Sequence, residues 1–164
     1  MFLSVFDVFK IGIGPSSSHT MGPMVAANRF LDELATGQWP RPATAQVAAL
    51  EVSLHGSLAF TGIGHGTGRA VILGLSGYTP ASIDPDDIEA VIARVEQLGR
   101  VEPPGHPSYR FRPAVDLVYD RQHVMPGHPN GLQIAAYDAD GGLLLRRSYY
   151  SIGGGFVLEE GELA

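Results

Sequence analysis

The amino-acid sequence predicts an α+β fold in which helices pack on one face of a mostly antiparallel sheet. Apolar residues recur at helical spacing in three segments, whereas four others show the alternation or the short apolar runs of strands. The segments follow one another as helix, strand, helix, helix and three strands, a grouping typical of α+β proteins. The 164 residues are enough for one domain. We assign it to residues 1–157 and take residues 158–164 as the start of a linker or tail.

The first helix is predicted after an apolar segment, residues 2–13, which fits either a strand or an irregular stretch. Pro23 is tolerable in a first helical turn, and Gly37 is suited to ending the helix. The apolar residues at helical spacing are Met24, Ala27, Phe30, Leu31 and Leu34.

A half-buried strand is predicted over residues 45–55, because apolar and polar residues alternate there. Glu51, Ser53 and His55 share its polar face. His55 could form an acid–base pair with a residue of this face, although a solvated sheet face is the expected arrangement. A glycine-rich loop at 62–68 and a short apolar helix at 70–75 follow.

The clearest helix begins after Asp84, which caps it, with Pro85 in the first position and Gly99 at its end. Its apolar stripe consists of Ile88, Val91, Ile92, Val95 and Leu98. Residues 102–113 read as a proline-rich loop. The remaining strands are predicted at 115–119, 132–137 and 143–149, the last two joined by the hairpin signal Asp140-Gly141-Gly142.

Composition excludes several classes of function. The net charge of -6 offers no footprint for nucleic acid, and Lys10, the single lysine, lies in a short apolar run that does not suit a pyridoxal Schiff base. Without cysteine, the chain cannot hold a disulfide or a cysteine-ligated zinc or iron–sulfur site. No apolar stretch approaches the roughly 18 residues of a membrane span, and no signal peptide is evident, so we expect a cytoplasmic protein.

Ser16, Ser17, Ser18, His19 and Thr20 stand just before the first helix. A helix N-terminus offers free N–H groups and partial positive charge, which favour a carboxylate or phosphate. The alternative is helix capping by Ser18 or Thr20, with the other serines as ordinary loop.

Two further segments carry candidate groups. The glycine-rich loop holds His65 between glycines, but its spacing matches neither a dinucleotide fingerprint nor a P-loop, and a flexible turn explains it equally well. His128 lies in a turn where a surface role is the ordinary one, and no histidine pair has helical metal-ligand spacing. Residues 148–156, with three consecutive glycines at the end of the last predicted strand, suggest an interface or a hinge.

Taken together, these segments resemble the iron–sulfur L-serine dehydratases (L-serine deaminases). The resemblance rests on SVFDVFKIGIGPSSSHTMGPM at 4–24, VSLHGSLAFTGIGHGT at 52–67, AVILGLSGYTP at 70–80, HPNGLQIAAY at 128–137 and YYSIGGGF at 149–156. It spans nearly the whole chain and is weakest across 81–127. The family pattern has a second histidine and an acidic residue where this chain has Gly66 and Gly68, so a role in that loop carries over only at His65.

The resemblance implies a two-part enzyme, fused or in separate subunits, that eliminates water from L-serine to give pyruvate and ammonia. One part holds a four-iron four-sulfur cluster on cysteines. The other, to which this chain corresponds, looks like the allosteric substrate-binding domain of some phosphoglycerate dehydrogenases. We therefore expect the chain to be inactive alone, to work with a cluster-bearing alpha domain and to form a homo-oligomer.

The same resemblance implies roles for individual residues. Ser16, Ser17, Ser18 and Thr20 would help to bind the serine carboxylate, and His19 would face the cluster as proton carrier or substrate anchor. His65 and His128 would be further general acids or bases. Two other hypotheses remain open: a regulatory module that binds L-serine, and a scaffold that dimerises the enzyme.

Overall fold

The computed structural model describes residues 19–60, 66–153 and 156–162. Within them, the helices are α1 (Met21–Thr36), α2 (Thr67–Leu75), α3 (Ile88–Leu98) and the short α4 (Pro113–Asp116), and residues 57–60 are also helical. The strands are β1 (Ala49–His55), β2 (Arg100–Val101), β3 (Tyr109–Arg110), β4 (Leu117–Asp120), β5 (Gly131–Tyr137), β6 (Leu143–Gly153) and β7 (Phe156–Glu159).

All of these strands form one mixed, mostly antiparallel sheet. On one side of β1, strands β5, β6 and β7 follow in antiparallel pairs. On the other side, β3 and β4 both pair with β1 in parallel, and β2 pairs with β3 in the antiparallel sense. The predicted α+β class with a mostly antiparallel sheet is confirmed.

The hydrophobic core lies between the sheet and the helices. Alternate residues of β1 and β5 are buried, including Leu50, Val52 and Leu54, as the period of two in strand 45–55 predicts. Helix α1 packs on β5, β6 and β7, α2 packs on α1, and α3 contacts α2. Helix α1 therefore joins α2 to the sheet, whereas α3 also contacts the sheet directly, at β2.

Helices α1 and α2 lie side by side and run in the same direction. The Thr67 hydroxyl, at the start of α2, donates to the carbonyl of His19, just before α1. Further along, a Cβ on Gly74 would lie 2.7 Å from the carbonyl oxygen of Met24 and 2.8 Å from the Cβ of Ala27. The Asn28 amide donates to the carbonyls of Gly74 (3.1 Å) and Tyr78 (2.9 Å) and so binds the C-terminal end of α2 to the middle of α1. The N-termini of α1 and α2 consequently lie together.

The three predicted helices are confirmed, and the second and third start differently from the prediction. The first spans Met21–Thr36 and ends at Gly37 (φ 64°), and the second begins at Thr67 rather than at residue 70. The third region opens as a 3-10 turn, Pro85–Asp87, in which the Asp84 carboxylate accepts from the Asp86 N–H at 2.9 Å. The third helix ends at Gly99 (φ 67°), as predicted.

The strand predictions need three corrections. Residues 115–116, predicted to begin a strand, instead end α4, because Pro113 opens a helical turn and the Asp116 carboxylate accepts from the Arg112 N–H at 2.7 Å. The predicted loop at 102–113 contains β3, which pairs with β2. Each of these strands has two residues, too few to show a periodicity.

The third correction concerns the end of the chain. Strand β6 continues to Gly153 (φ 97°), and β7 then runs back beside it, so 143–149 is not the last strand. The hairpin at 140–142 is confirmed, with the Asp138 carboxylate accepting from the N–H groups of Asp140 (2.9 Å) and Gly142 (2.7 Å). The division at Val157 remains a prediction, although the sheet includes Leu158 and Glu159. The predicted segment 2–13 lies outside the described residues.

We expect Gly74→Val to lower the free energy of unfolding by about 2–3 kcal/mol, because the added side chain would overlap the backbone of α1. Urea denaturation followed by circular dichroism would measure the loss. Gly161→Val is the matched control, since a Cβ there meets nothing within 4 Å. Equal denaturation midpoints for the two variants would contradict the close packing of α1 on α2.

Candidate functional site

The direction of α1 is set by its contacts with β6. Glu33 pairs with Arg147 (2.7 Å), and four residues earlier the Arg29 guanidinium lies 5.8 Å from the ring centroid of Tyr149. Four helical residues and two strand residues both advance by about 6–7 Å. Helix α1 therefore runs antiparallel to β6, and its N-terminus points toward the end of β6 that carries Ser151.

The groups in these contacts are partly shielded from water. The hydrogen bond from Arg147 to Glu33 raises the pKa of the guanidinium, and burial raises the pKa of the Tyr149 phenol. Both groups keep their protons at neutral pH, so Arg147 stays charged beside Glu33 and the Tyr149 phenol stays neutral.

Five segments meet at this end of the sheet, which we call the loop end: residues 19–20, 56–57, 66–67, 128–130 and 151–153. A series of contacts joins them. The Thr67 hydroxyl bonds to the His19 carbonyl, and His19 Nε2 lies 2.9 Å from Ser57 Oγ. The Ser57 N–H donates to the Pro129 carbonyl (2.8 Å), and the Ser151 N–H donates to the Asn130 carbonyl (3.0 Å).

The loop end is chemically suited to an anion. The N-termini of α1 and α2 converge there, and neither helix has an acidic residue in its first turn to offset the partial positive charge. Thr20 occupies the N-cap of α1 and is fully buried, but its side chain makes no capping hydrogen bond. The capping hypothesis is therefore wrong for Thr20.

The turn after β1 holds Ser57 in place. Gly56 has a φ of 56°, a conformation that L side chains rarely adopt, and a Cβ there would overlap the carbonyl oxygen of Pro129. The 56–57 turn and the 128–130 turn can therefore touch only because residue 56 is glycine.

His128 is held in one tautomer by its own turn. The Asn130 N–H donates to His128 Nδ1 at 3.0 Å, so the neutral ring carries its proton on Nε2. In that form Nε2 can donate a hydrogen bond, and the predicted acid-or-base role of His128 stays a prediction.

The predicted site residues divide into two groups. His19, Thr20 and His128 lie in segments that the structure brings to the loop end. Ser16, Ser17, Ser18 and His65 lie outside the described residues, and their roles stay predictions. The sequence analysis missed Ser57 and Thr67, which contact His19. Both lie in the 52–67 segment, and each follows a histidine by two residues, which was a usable signal.

A separate polar cluster occupies the other face of the sheet. His55 is only 6% exposed, so the expected solvated face is wrong at this position. Its Nε2 lies 2.8 Å from Ser53 Oγ, and its Nδ1 lies 2.7 Å from the His123 carbonyl and 3.9 Å from Asp120 Oδ2. Its partners are thus Ser53 and the 120–123 turn, and Glu51 takes no part in the hydrogen bonds described for it.

The residues present do not fit an iron–sulfur cluster. The chain contains no cysteine, and in the described ranges no group of three histidine or acidic residues is placed to hold a metal ion. No helix in the described part of the chain has the length and apolar character needed to cross a membrane.

Comparison with known proteins finds one family along almost the entire chain. The model of the serine dehydratase beta chain family matches residues 4–162. An L-serine dehydratase of Streptomyces coelicolor is 44% identical over 160 residues, which cover 98% of this chain and 34% of that protein. L-serine dehydratase 1 of Escherichia coli K12 is 42% identical over 163 residues, which cover 96% of this chain and 34% of that protein. The chain thus spans about a third of the length of these relatives.

Gly56→Ala should lower the free energy of unfolding by at least about 2 kcal/mol. The loss has two causes: alanine is strained in the left-handed conformation, and its Cβ would overlap the carbonyl oxygen of Pro129. Thermal or urea denaturation would measure it. Gly105→Ala is the control, because its φ is 80° but a Cβ meets nothing within 4 Å, so about 1 kcal/mol is expected. Similar losses at both positions would argue against the contact between the two turns.

The 120–123 turn should weaken in acid. Hydrogen bonds from the Gln122 N–H, the largest cause, and from His123 hold the pKa of Asp120 below its usual value. The stability that this carboxylate contributes is therefore present above its unfolded pKa of about 3.9 and is lost as the pH falls through the lower folded pKa. The difference in Tm between the wild type and Asp120→Asn should be largest near neutral pH and shrink below about pH 4. A difference that stays constant from pH 7 to pH 3 would contradict this assignment.

Proposed function

Since the chain belongs to the serine dehydratase beta chain family, we propose that it supplies substrate-binding and proton-transfer residues to an iron–sulfur L-serine dehydratase. The observation that carries the proposal is the meeting of five segments at the loop end, beside the N-termini of α1 and α2. Four of the segments quoted for the family resemblance contribute to this one end of the sheet. The convergence brings the polar groups of these segments within reach of a single ligand.

The carboxylate of L-serine would bind at the paired helix N-termini. Two convergent helix ends without acidic first-turn residues provide N–H donors and positive potential for an anion. The hydroxyls of Ser16, Ser17, Ser18 and Thr20 would add donors, as the resemblance implies. Binding there would orient the amino acid with its Cα close to His19.

Proton transfer would fall to the histidines. Elimination of water requires removal of the α-proton and departure of the β-hydroxyl, which leaves more easily when it accepts a proton. His19, paired with Ser57 at 2.9 Å, is our first candidate for carrying a proton. His128, with Nδ1 occupied as an acceptor, is suited to donating a hydrogen bond from Nε2 to the substrate, and His128 and His65 remain further candidates for proton transfer.

The rest of the enzyme would come from a partner. Because this chain lacks cysteine, the four-iron four-sulfur cluster would be held by an alpha domain, fused or separate. The relatives are about three times as long as the matched segment, which leaves room for such a domain. We further propose that the assembled enzyme is a cytoplasmic homo-oligomer that degrades L-serine to pyruvate, a precursor for gluconeogenesis.

A regulatory module that binds L-serine is the second candidate function. The helix-terminal anion site needs no cluster ligand, and an allosteric substrate-binding domain would have the same property. The two functions differ in what a substitution at the loop end does: a regulatory site alters the dependence of rate on serine concentration, whereas a catalytic site controls turnover at saturation.

We expect His19→Ala in the complete enzyme to reduce kcat/KM for L-serine by a factor of about 10²–10⁴, the usual contribution of general acid–base catalysis. The rate of pyruvate formation would measure it. His106→Ala is the control, because His106 bonds to Tyr109 and lies in the 102–113 segment rather than at the loop end. Unchanged kcat/KM for His19→Ala would overturn the catalytic role of this histidine. Unchanged kcat with a shifted serine dependence would favour the regulatory module.

A further inference from the structure

Two polar atoms at the loop end are buried without a partner. Ser151 is fully buried, and its Oγ makes no hydrogen bond; the Oδ1 of Asn130 is likewise buried and unpaired. Among the described residues the only other such atom is Nε1 of Trp39, which lies beyond the C-terminal end of α1. Two of the three unpaired atoms therefore belong to neighbouring residues in the candidate site.

The surroundings hold both residues firmly in place. The Asn130 N–H donates to His128 Nδ1, and its carbonyl accepts from the Ser151 N–H. Ser151 follows Arg147 and Tyr149 at alternate positions of β6, so its side chain lies on the face that α1 covers. The side-chain oxygens lack hydrogen-bond partners, whereas these backbone N–H and carbonyl groups have them.

Unpaired buried oxygens are costly to a folded protein. A buried acceptor or hydroxyl loses its bonds to water and gains nothing in return unless another group arrives. A bound ligand that supplies hydrogen-bond donors would compensate both atoms, and a buried water would be the simpler occupant.

The two oxygens complement the helix ends in their chemistry. An amide oxygen only accepts hydrogen bonds, and a hydroxyl oxygen also accepts them, so the pair suits a group with several N–H donors. The helix N-termini offer N–H groups and positive potential, which suit an anion. An amino-acid zwitterion carries one group of each kind on the same carbon atom.

We infer that Asn130 and Ser151 form the subsite for the α-ammonium group of the amino-acid substrate. The inference rests on the proposed function. It divides recognition of the amino acid between the helix N-termini and the strand ends. The carboxylate lies at the starts of α1 and α2, and the ammonium lies at the ends of β5 and β6. Asn130 and Ser151 thereby select an amino acid over the corresponding hydroxy acid.

The test uses the complete enzyme and compares L-serine with L-glycerate, in which a hydroxyl replaces the ammonium group. Ser151→Ala should raise KM for L-serine about 10-fold and leave the inhibition constant of L-glycerate within about 2-fold. The same substitution should raise the Tm of the unliganded protein by about 2–4 °C, because an unpaired buried hydroxyl is removed. Asn130→Ala should show the same selective loss of L-serine binding.

Ser148→Ala is the matched control. Ser148 is also a buried serine of β6, but its hydroxyl accepts from Gln133 Nε2 at 3.2 Å on the opposite face of the sheet. Its replacement should lower the Tm and leave KM unchanged.

Each result bears on a separate claim. An unchanged KM with a lower Tm for Ser151→Ala would identify a structural hydroxyl or a buried water and overturn the inference. Equal losses for L-serine and L-glycerate would show that the pair contacts the carboxylate or the hydroxyl group instead, which also overturns it. In both cases the proposed function would stand, whereas a wild-type enzyme unable to convert L-serine would overturn that function and the subsite with it.

Discussion

The parallel packing of α1 against α2 is the contact on which the arrangement of the molecule depends. Gly74 permits it, since a side chain there would meet the backbone of α1. The Asn28 amide then fixes how far the two helices slide, because it reaches the carbonyls of Gly74 and Tyr78 at the end of α2. Thr67 and His19 are linked at the opposite end as a result. Without this contact the two helix N-termini would not share a site.

The packing has an electrostatic cost. Parallel neighbouring helices place partial charges of like sign side by side, and in this protein no acidic residue in either first turn relieves the positive ends. The sheet adds a second unfavourable feature, the unpaired oxygens of Asn130 and Ser151. Both features are relieved by a ligand that carries an anionic and a cationic group. The two features that are unfavourable without a ligand are thus the ones from which we infer binding of a zwitterion.

Much of the fold could be predicted from the sequence because its signals are local. Asp84, Pro85 and Gly99 marked the third helix, and Asp140-Gly141-Gly142 marked a hairpin, through backbone preferences that need no tertiary contact. Strand β7 could not be predicted, because four residues after a run of glycines have no clear pattern and are held by pairing with β6. The burial of His55 was missed for a similar reason, since its partners Asp120 and His123 belong to a distant turn.

The candidate site was predictable in its residue types but not in its geometry. The hydroxyls and His19 stood out before a helix, yet nothing in the sequence placed Ser57 against His19 or Asn130 against Ser151. The loop end as a whole takes segments from residue 19 to residue 153, which has a consequence for folding during synthesis. The loop end can form only after β6 has joined the sheet, when nearly all of the domain has left the ribosome. A nascent chain that already contains α1 and α2 would still lack the loop end, so the substrate binding that we propose there would report the completion of folding.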